Sequence, residues 1–215
     1  MMDNEIVQRV TQQRMERVAE ALRANRMDAY CVPTAAQVPA LVARLLHKGD
    51  TVAVGGSVSL QQCGVLEMLA GGDYRYLDRY APGLSGEQVQ EIYRAAFSAD
   101  AYLASANAVT EAGEVFNVDG NGNRVAAITY GPKSVILVVG CNKLVRDLNE
   151  AETRLETLAA PANAARLHTA TPCASTGRCQ HCKSPARICC TYTVLRAQRV
   201  PGRIKVILVG EPLGY

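Results

Sequence analysis

The sequence predicts an α/β domain built on a mainly parallel sheet. Three observations carry that expectation. Apolar runs and helical patterns alternate roughly four or five times along the chain, as in repeated strand–helix units. The clearest runs, Thr51–Val54 and Ser134–Val139, are continuously apolar, as strands covered on both faces must be. Polar and glycine-rich passages gather where such runs end, which is where open parallel sheets place ligands.

Taken in order, Asp3 or Asn4 can cap a first helix reaching about Asn25. Its apolar stripe is Ile6, Val7, Val10, Val18, Ala21 and Leu22, interrupted by Arg14. Ala29–Pro33 reads as a strand and Ala35–His47 as a helix, with Pro39 in the first turn, where a missing N–H costs little. Thr51–Val54 is a buried strand. Gly55-Gly56-Ser57 follows at once, and Ser57 or Ser59 can cap a helix over Leu60–Leu69. Tyr74–Leu77 reads as a short strand, Asp78–Ser85 as a loop and Gly86–Phe97 as a helix. The apolar run Ala101–Ala106 leads to a polar passage with Asn107, Thr110 and Glu111, then a strand-like piece, Glu114–Val118. After the loop Asp119–Asn123 come a helix, Arg124–Tyr130, and the strand Ser134–Val139. Asp147–Leu158 is helical, Pro161 starts a further helix to about Leu167, Thr171–Cys190 is irregular, and Ile204–Val209 is a late strand.

At 215 residues one large domain is expected: an α/β body over 1–170, then a cysteine-rich segment and the final strand of the same domain over 171–215. The apolar fraction of 48% is ordinary for a packed globular chain. A net charge of +3 with no Lys/Arg block gives no footprint for nucleic acid. The N-terminal MMDNEIVQRV has no apolar core of a secretory signal, and the longest apolar runs are too short to insert in a membrane. A cytoplasmic protein is therefore expected. Eight cysteines in such a chain point to metal or redox chemistry rather than a disulfide framework.

Five of those cysteines, Cys173, Cys179, Cys182, Cys189 and Cys190, crowd into one short segment. Four thiolates brought together by a loop repel one another unless a cation holds them, so Cys173, Cys179, Cys182 and Cys189 are the candidate metal ligands. Zinc sites with four cysteines usually show two short C-x2–4-C knuckles, and only Cys179/Cys182 forms one. The irregular spacing favours a [4Fe–4S] cluster, with zinc as the alternative. Arg178, Lys183 and Arg187 can offset a cluster's negative charge, and His181 is a substitute ligand or a neighbour of one. Free buried thiols or a disulfide pair remain open. Cys31, Cys63 and Cys141 lie in apolar surroundings and read as small buried hydrophobes.

The strand end Gly55-Gly56-Ser57 reads either as an anion-binding turn or as a tight turn with a serine cap. No GxxxxGK[ST] pattern accompanies it. The loop Asp119-Gly120-Asn121-Gly122-Asn123 fails as a calcium loop, because Arg124 stands where glycine is needed and Tyr130 where the bidentate glutamate belongs. It fails as a dinucleotide fingerprint because Val125 replaces the last glycine. What remains is a turn into a helix that Asn123 can cap, with Arg124 and Lys133 near enough in sequence to add charge for a bound carboxylate or phosphate. Glu111 reads either as a general base or nucleophile or as an exposed turn residue. Asn107, Thr110, Asp119, Gly120, Asn121, Gly122, Arg124 and Lys133 are expected to line one end of the sheet opposite Gly55, Gly56 and Ser57.

The runs SANAVTEAGEVFNVDGNGNRVAA, YGPKSVILVVGCNKLV, AAPANAARL, TPCASTGRCQHCKSPARICC and VILVGEPLGY resemble the LUD domain of bacterial lactate-utilisation proteins, over nearly the whole chain. The resemblance implies a three-layer, Rossmann-like fold of the group that includes ribose-5-phosphate isomerase, glucosamine-6-phosphate deaminase and the CoA transferases. The pattern AVTEAGEVFNVDGNG is similar to methylthioribose-1-phosphate isomerase and translation initiation factor 2B, which place a sugar phosphate or nucleotide nearby. Three functions are expected, of which a non-catalytic assembly factor whose metal loop docks a partner ranks last. The first is a redox accessory that binds a small anionic metabolite and works beside redox protein partners of a lactate-utilisation system. The second is an enzyme on a phosphorylated or CoA-linked metabolite, with a structural zinc site.

Overall fold

The computed structural model describes residues 2–215, with side chains from Glu5 onward. The caps expected of Asp3 or Asn4 therefore lie outside the described side chains. The chain opens with α1 (Met2–Ala24), β1 (Asp28–Val32), α2 (Val38–Leu45), β2 (Thr51–Val54), α3 (Val58–Gln62), α4 (Val65–Gly71), β3 (Arg75–Leu77) and α5 (Gly86–Ala95). Then come β4 (Ala101–Ala104), β5 (Ala108–Thr110), β6 (Val115–Asp119), α6 (Asn123–Tyr130), β7 (Ser134–Gly140) and β8 (Leu144–Val145). The chain finishes with α7 (Leu148–Arg154), α8 (Ala160–Arg166), α9 (Pro172–Thr176), β9 (Thr191–Leu195) and β10 (Ile204–Val209).

Six strands form the central sheet in the order β1-β10-β7-β4-β2-β3, and every pair is parallel. Alternation along β7 explains the three layers. Val135, Leu137 and Val139 face one apolar cluster with Met15, Val18 and Leu22 of α1 and Ile128 of α6. Ile136 and Val138 face the other, with Val42 of α2, Leu60 of α3 and Leu69 of α4. Of the stripe expected on α1, Val18 and Leu22 are buried, whereas Ile6, Val7 and Val10 are exposed.

Four shorter strands form a second sheet, β8-β5-β6-β9, which the reading of the sequence did not separate from the first. Here β6 runs antiparallel to both β5 and β9. Phe116, Val118 and Val145 pack it on Ala151 and Leu155 of the helical layer. The helix expected over Leu60–Leu69 is broken in two at Gly64, whose φ is +74°. Pro161 falls in the first turn of α8, as expected. A π-turn over Leu155–Ala159 carries α7 into α8 without a break, and the wider turn accommodates a residue that lacks an N–H.

The β5–β6 turn seats the second sheet on α1. Gly113 has φ +75°, and a Cβ there would lie 2.7 Å from backbone atoms of Ala21 and Leu22. Gly113→Ala should therefore lose about 1–3 kcal/mol of stability in urea unfolding, through strain and overpacking together. An unchanged midpoint would show that the turn does not depend on this close approach.

Candidate functional site

The strands β2, β4, β7 and β10 end at one edge of the parallel sheet, and a cavity of about 420 Å³ opens there. Each strand end delivers part of its wall: Gly56 and Ser57 after β2, Ser105 to Asn107 after β4, Lys143 after β7, and Gly214 after β10. The loop after β6 adds Asp119, Gly120, Asn121, Asn123 and Arg124. The helical layer adds Asn163 and Arg166, and the cysteine-rich segment closes the cavity with Pro185 to Ile188.

The charge is one-sided. Arg79, Arg124, Lys143, Arg166 and Arg187 line the cavity, and Asp119 is its one side-chain carboxylate. That carboxylate is already engaged. Its Oδ1 accepts from the Gly120 N–H at 2.9 Å, and its Oδ2 from Arg124 N–H at 2.8 Å and Val125 N–H at 3.3 Å. Asp119, not Asn123, thus caps α6, and its charge suits a helix N-terminus. The N–H groups expected to hold a bound anion are filled by the protein itself.

Arg124 is half-buried in the floor. Its guanidinium donates to Ser105 O, Asn117 Oδ1, Asn107 Oδ1 and Val118 O, at 3.1, 2.6, 3.1 and 2.6 Å. All four acceptors are neutral, so the positive charge is not cancelled by them. Gly55 makes room for it: a Cβ there would lie 3.0 Å from Arg124 Cδ and 2.9 Å from the Tyr102 hydroxyl. Arg79 stacks on the Tyr93 ring at 4.6 Å, and the Nε atoms of Arg79 and Arg187 are buried without a partner.

Lys143 is 3% exposed. Its Nζ donates to Ser59 Oγ at 2.9 Å and Ser105 Oγ at 3.0 Å, and it joins none of the ion pairs among the described residues. Burial, then the nearby Arg154 and Arg124, push its ammonium down to about 7.

Of the residues expected here, Gly56, Ser57, Asn107, Asp119, Gly120, Asn121 and Arg124 line the cavity. Ser57 also caps α3, accepting from Leu60 N–H at 3.2 Å. Gly55 and Gly122 stand just outside the lining, as the last turn before Gly56 and the start of α6. Three expected residues lie elsewhere. Lys133 is exposed and precedes β7, so it sits at the opposite end of the sheet. Thr110 is buried in the β5–β6 turn, where its hydroxyl accepts from the Glu114 N–H at 3.0 Å. Glu111 pairs with Arg14 at 2.9 Å on the surface, away from the cavity lining. Lys143, the buried amine, was missed, as were Arg79 and Arg166.

Cys173, Cys179, Cys182 and Cys189 all line a second cavity of about 190 Å³, with His181 and Tyr192. Cys190 is exposed and points back to the Arg187 carbonyl at 3.4 Å. The sulfurs receive polar contacts: His181 N–H to Cys179 and Arg187 Nη2 to Cys189, both at 3.4 Å, and the Thr171 hydroxyl 3.4 Å from Cys173. A tetrahedral zinc needs its sulfurs about 3.8 Å apart, given Zn–S of about 2.3 Å. Among the described residues, the one group of three or more donors within 4.8 Å of each other is Glu156, Cys179 and His181. Among the described residues, no three of the four cysteine sulfurs lie within 4.8 Å of one another. The mixed group fits a single divalent ion. Burial raises the Cys63 thiol to about 11 and lifts those of Cys31 and Cys141, in keeping with a packing role.

Two outcomes follow from this geometry. Arg124→Leu should cost about 3 kcal/mol or more in urea unfolding, because several buried acceptors lose their donor at once. Sulfate, which keeps its charge across the range, should bind more weakly as pH rises through about 7, where the Lys143 ammonium is lost. Calorimetric titration of Lys143→Met should show a flat profile over the same range.

The fold has a counterpart among solved structures. A DUF162 family protein from Deinococcus radiodurans matches with a TM-score of 0.53 over 93% of this chain and 98% of that one, at 18% identity. At that identity the likeness speaks for the fold alone. No curated protein matches. Among the described residues, no helix is long and apolar enough to cross a membrane. The family model of the LUD domain matches residues 15–209, from within α1 to the last residue of β10, and so takes in both sheets and the lining of both cavities except Gly214 and Tyr215. The chain belongs to the LUD domain family.

Proposed function

We propose that this protein is a redox accessory of the lactate-utilisation type. Its basic cavity holds a small anionic metabolite, and the four cysteines beside it hold a [4Fe–4S] cluster that exchanges electrons with partner proteins. The observation that carries this reading is the charge of the first cavity: five basic side chains line it, and its one side-chain carboxylate is committed to capping α6. The second cavity supports the redox part. Cys173, Cys179, Cys182 and Cys189 would hold the cluster, and Arg187 would offset part of its negative charge. Such a cluster supplies one-electron transfer. Arg187 and Ile188 line both cavities, so ligand and cluster would be neighbours.

A second reading is favoured by two observations. The first cavity, at about 420 Å³, falls within the ~300–1,000 Å³ typical of pockets for larger small molecules. It has room for a phosphorylated metabolite or part of a CoA-linked one. The mixed donor group Glu156, Cys179 and His181 suits a structural zinc.

Purification without oxygen, followed by iron, sulfide and zinc analysis, separates the two. The redox reading expects a brown protein with equal iron and sulfide, both lost in Cys179→Ser/Cys182→Ser. A colourless protein with one zinc per chain would end the electron-transfer part and favour the second reading. In either case sulfate or phosphate should raise the melting temperature, and no response to any anion would remove the anion-binding part.

A further inference from the structure

Both readings above use Lys143 only as one of the cavity's positive charges, and neither gives its amine a chemical step. Its surroundings fix where its hydrogens point. The Ser59 hydroxyl donates to Leu213 O at 3.2 Å, and the Ser105 hydroxyl to Ala106 O at 3.3 Å. Both serines therefore meet Nζ as acceptors, at 2.9 and 3.0 Å. A neutral amine has two N–H bonds and one lone pair. With both N–H bonds committed to the serines, the lone pair is left for the cavity that Lys143 lines. The neighbouring guanidinium groups of Arg124 and Arg154 disfavour a further positive charge on it. The other lysines differ. Lys48 pairs with Asp73 in solvent, Lys133 and Lys183 are exposed, and Lys205 donates to Ser134 Oγ and Gly202 O near the start of β10.

We propose that Lys143 is a nucleophilic amine that forms an imine with the carbonyl carbon of an anionic metabolite, an assignment that rests on the anion-binding reading of the cavity. The substrate class is a compound with an aldehyde or 2-oxo group beside a carboxylate or phosphate. Arginines around the cavity hold the anionic group, and the amine reaches the carbonyl. The lone pair attacks the carbonyl carbon and a C–N bond forms. Both amine hydrogens then depart with the carbonyl oxygen as water, leaving C=N. No oxidant or reductant is consumed. Once protonated, the imine draws electrons from the adjacent carbon, which eases loss of a proton there.

The test uses the full chain with two carbonyl probes, pyruvate and pyridoxal 5′-phosphate, each with cyanoborohydride to fix any imine. At about pH 8 an amine titrating near 7 is on the order of a hundredfold more unprotonated than a solvated lysine. A single adduct per chain is expected, mapped to Lys143 by peptide mass spectrometry and slowed by excess sulfate. Its rate should rise as pH passes through about 7. Lys143→Arg should remove the adduct while keeping a positive charge. The mapping on the unaltered protein decides the matter even if that variant folds poorly. Adducts spread over Lys48, Lys133 and Lys183, or none at all while sulfate still raises the melting temperature, would overturn the imine and leave the anion pocket standing. No adduct and no response to sulfate would overturn both.

Discussion

One guanidinium joins the two sheets. Arg124 reaches from α6 to Ser105, just past β4 of the parallel sheet, and to Asn117 and Val118 on β6 of the second sheet. Asn107, on the link between the sheets, accepts from it as well. A guanidinium presents five N–H donors in a rigid plane, so it can fix the relative position of several acceptors in a way that a lysine cannot. Asp119 aims it, by holding the start of α6 through the backbone rather than by pairing with the side chain. Because the acceptors are neutral, the joint between the sheets is also a source of positive potential. Arg154 adds to it, donating to the Asn107 and Asn142 carbonyls. The same framework that positions the cavity thus makes it attractive to anions and lowers the affinity of Lys143 for a proton.

The parallel sheet was legible because its strands are continuous apolar runs with turn residues at both ends. The second sheet was not, because its strands give too little period to read: β8 has two residues and β5 three. The third weak strand, β9, exposes Tyr192 and Val194 and directly follows the cysteine cluster, which masks its alternation. In the site, chain direction was the decisive signal. All strands of a parallel sheet point one way, so residues that follow a strand gather at one edge and those that precede it at the other. Gly56, Ser57, Asn107 and Lys143 follow strands; Lys133 precedes one. Applied strictly, that rule removes Lys133 and brings forward Lys143, which the apolar neighbours Leu144 and Val145 disguise as a turn residue. The cysteines were legible from density alone, since thiols so crowded need a reason. Their common cavity could not be read, because it forms where the segment folds back on the π-turn, whose Glu156 backbone carbonyl accepts from the Cys179 N–H at 3.0 Å.

The π-turn and Arg187 connect the two cavities physically. The helical layer that contains the turn offers Ala159 and Asn163 to the basic cavity and Ala160 to the cysteine cavity. Arg187 stands in the shared wall. Its Nη2 donates to the Cys189 carbonyl at 2.7 Å and to the sulfur at 3.4 Å, while its Nε has no partner. A guanidinium held this way answers to charge on either side. More negative charge on the sulfurs neutralises it and weakens the pull on an anion next door; a bound anion draws its field away from the sulfurs. Such coupling is reciprocal as a matter of thermodynamics: whatever the anion does to the charge state of the cysteine site, that charge state does to the anion's affinity. Were both cavities occupied, Arg187 in their shared wall would couple them by Coulomb interaction, with no moving part.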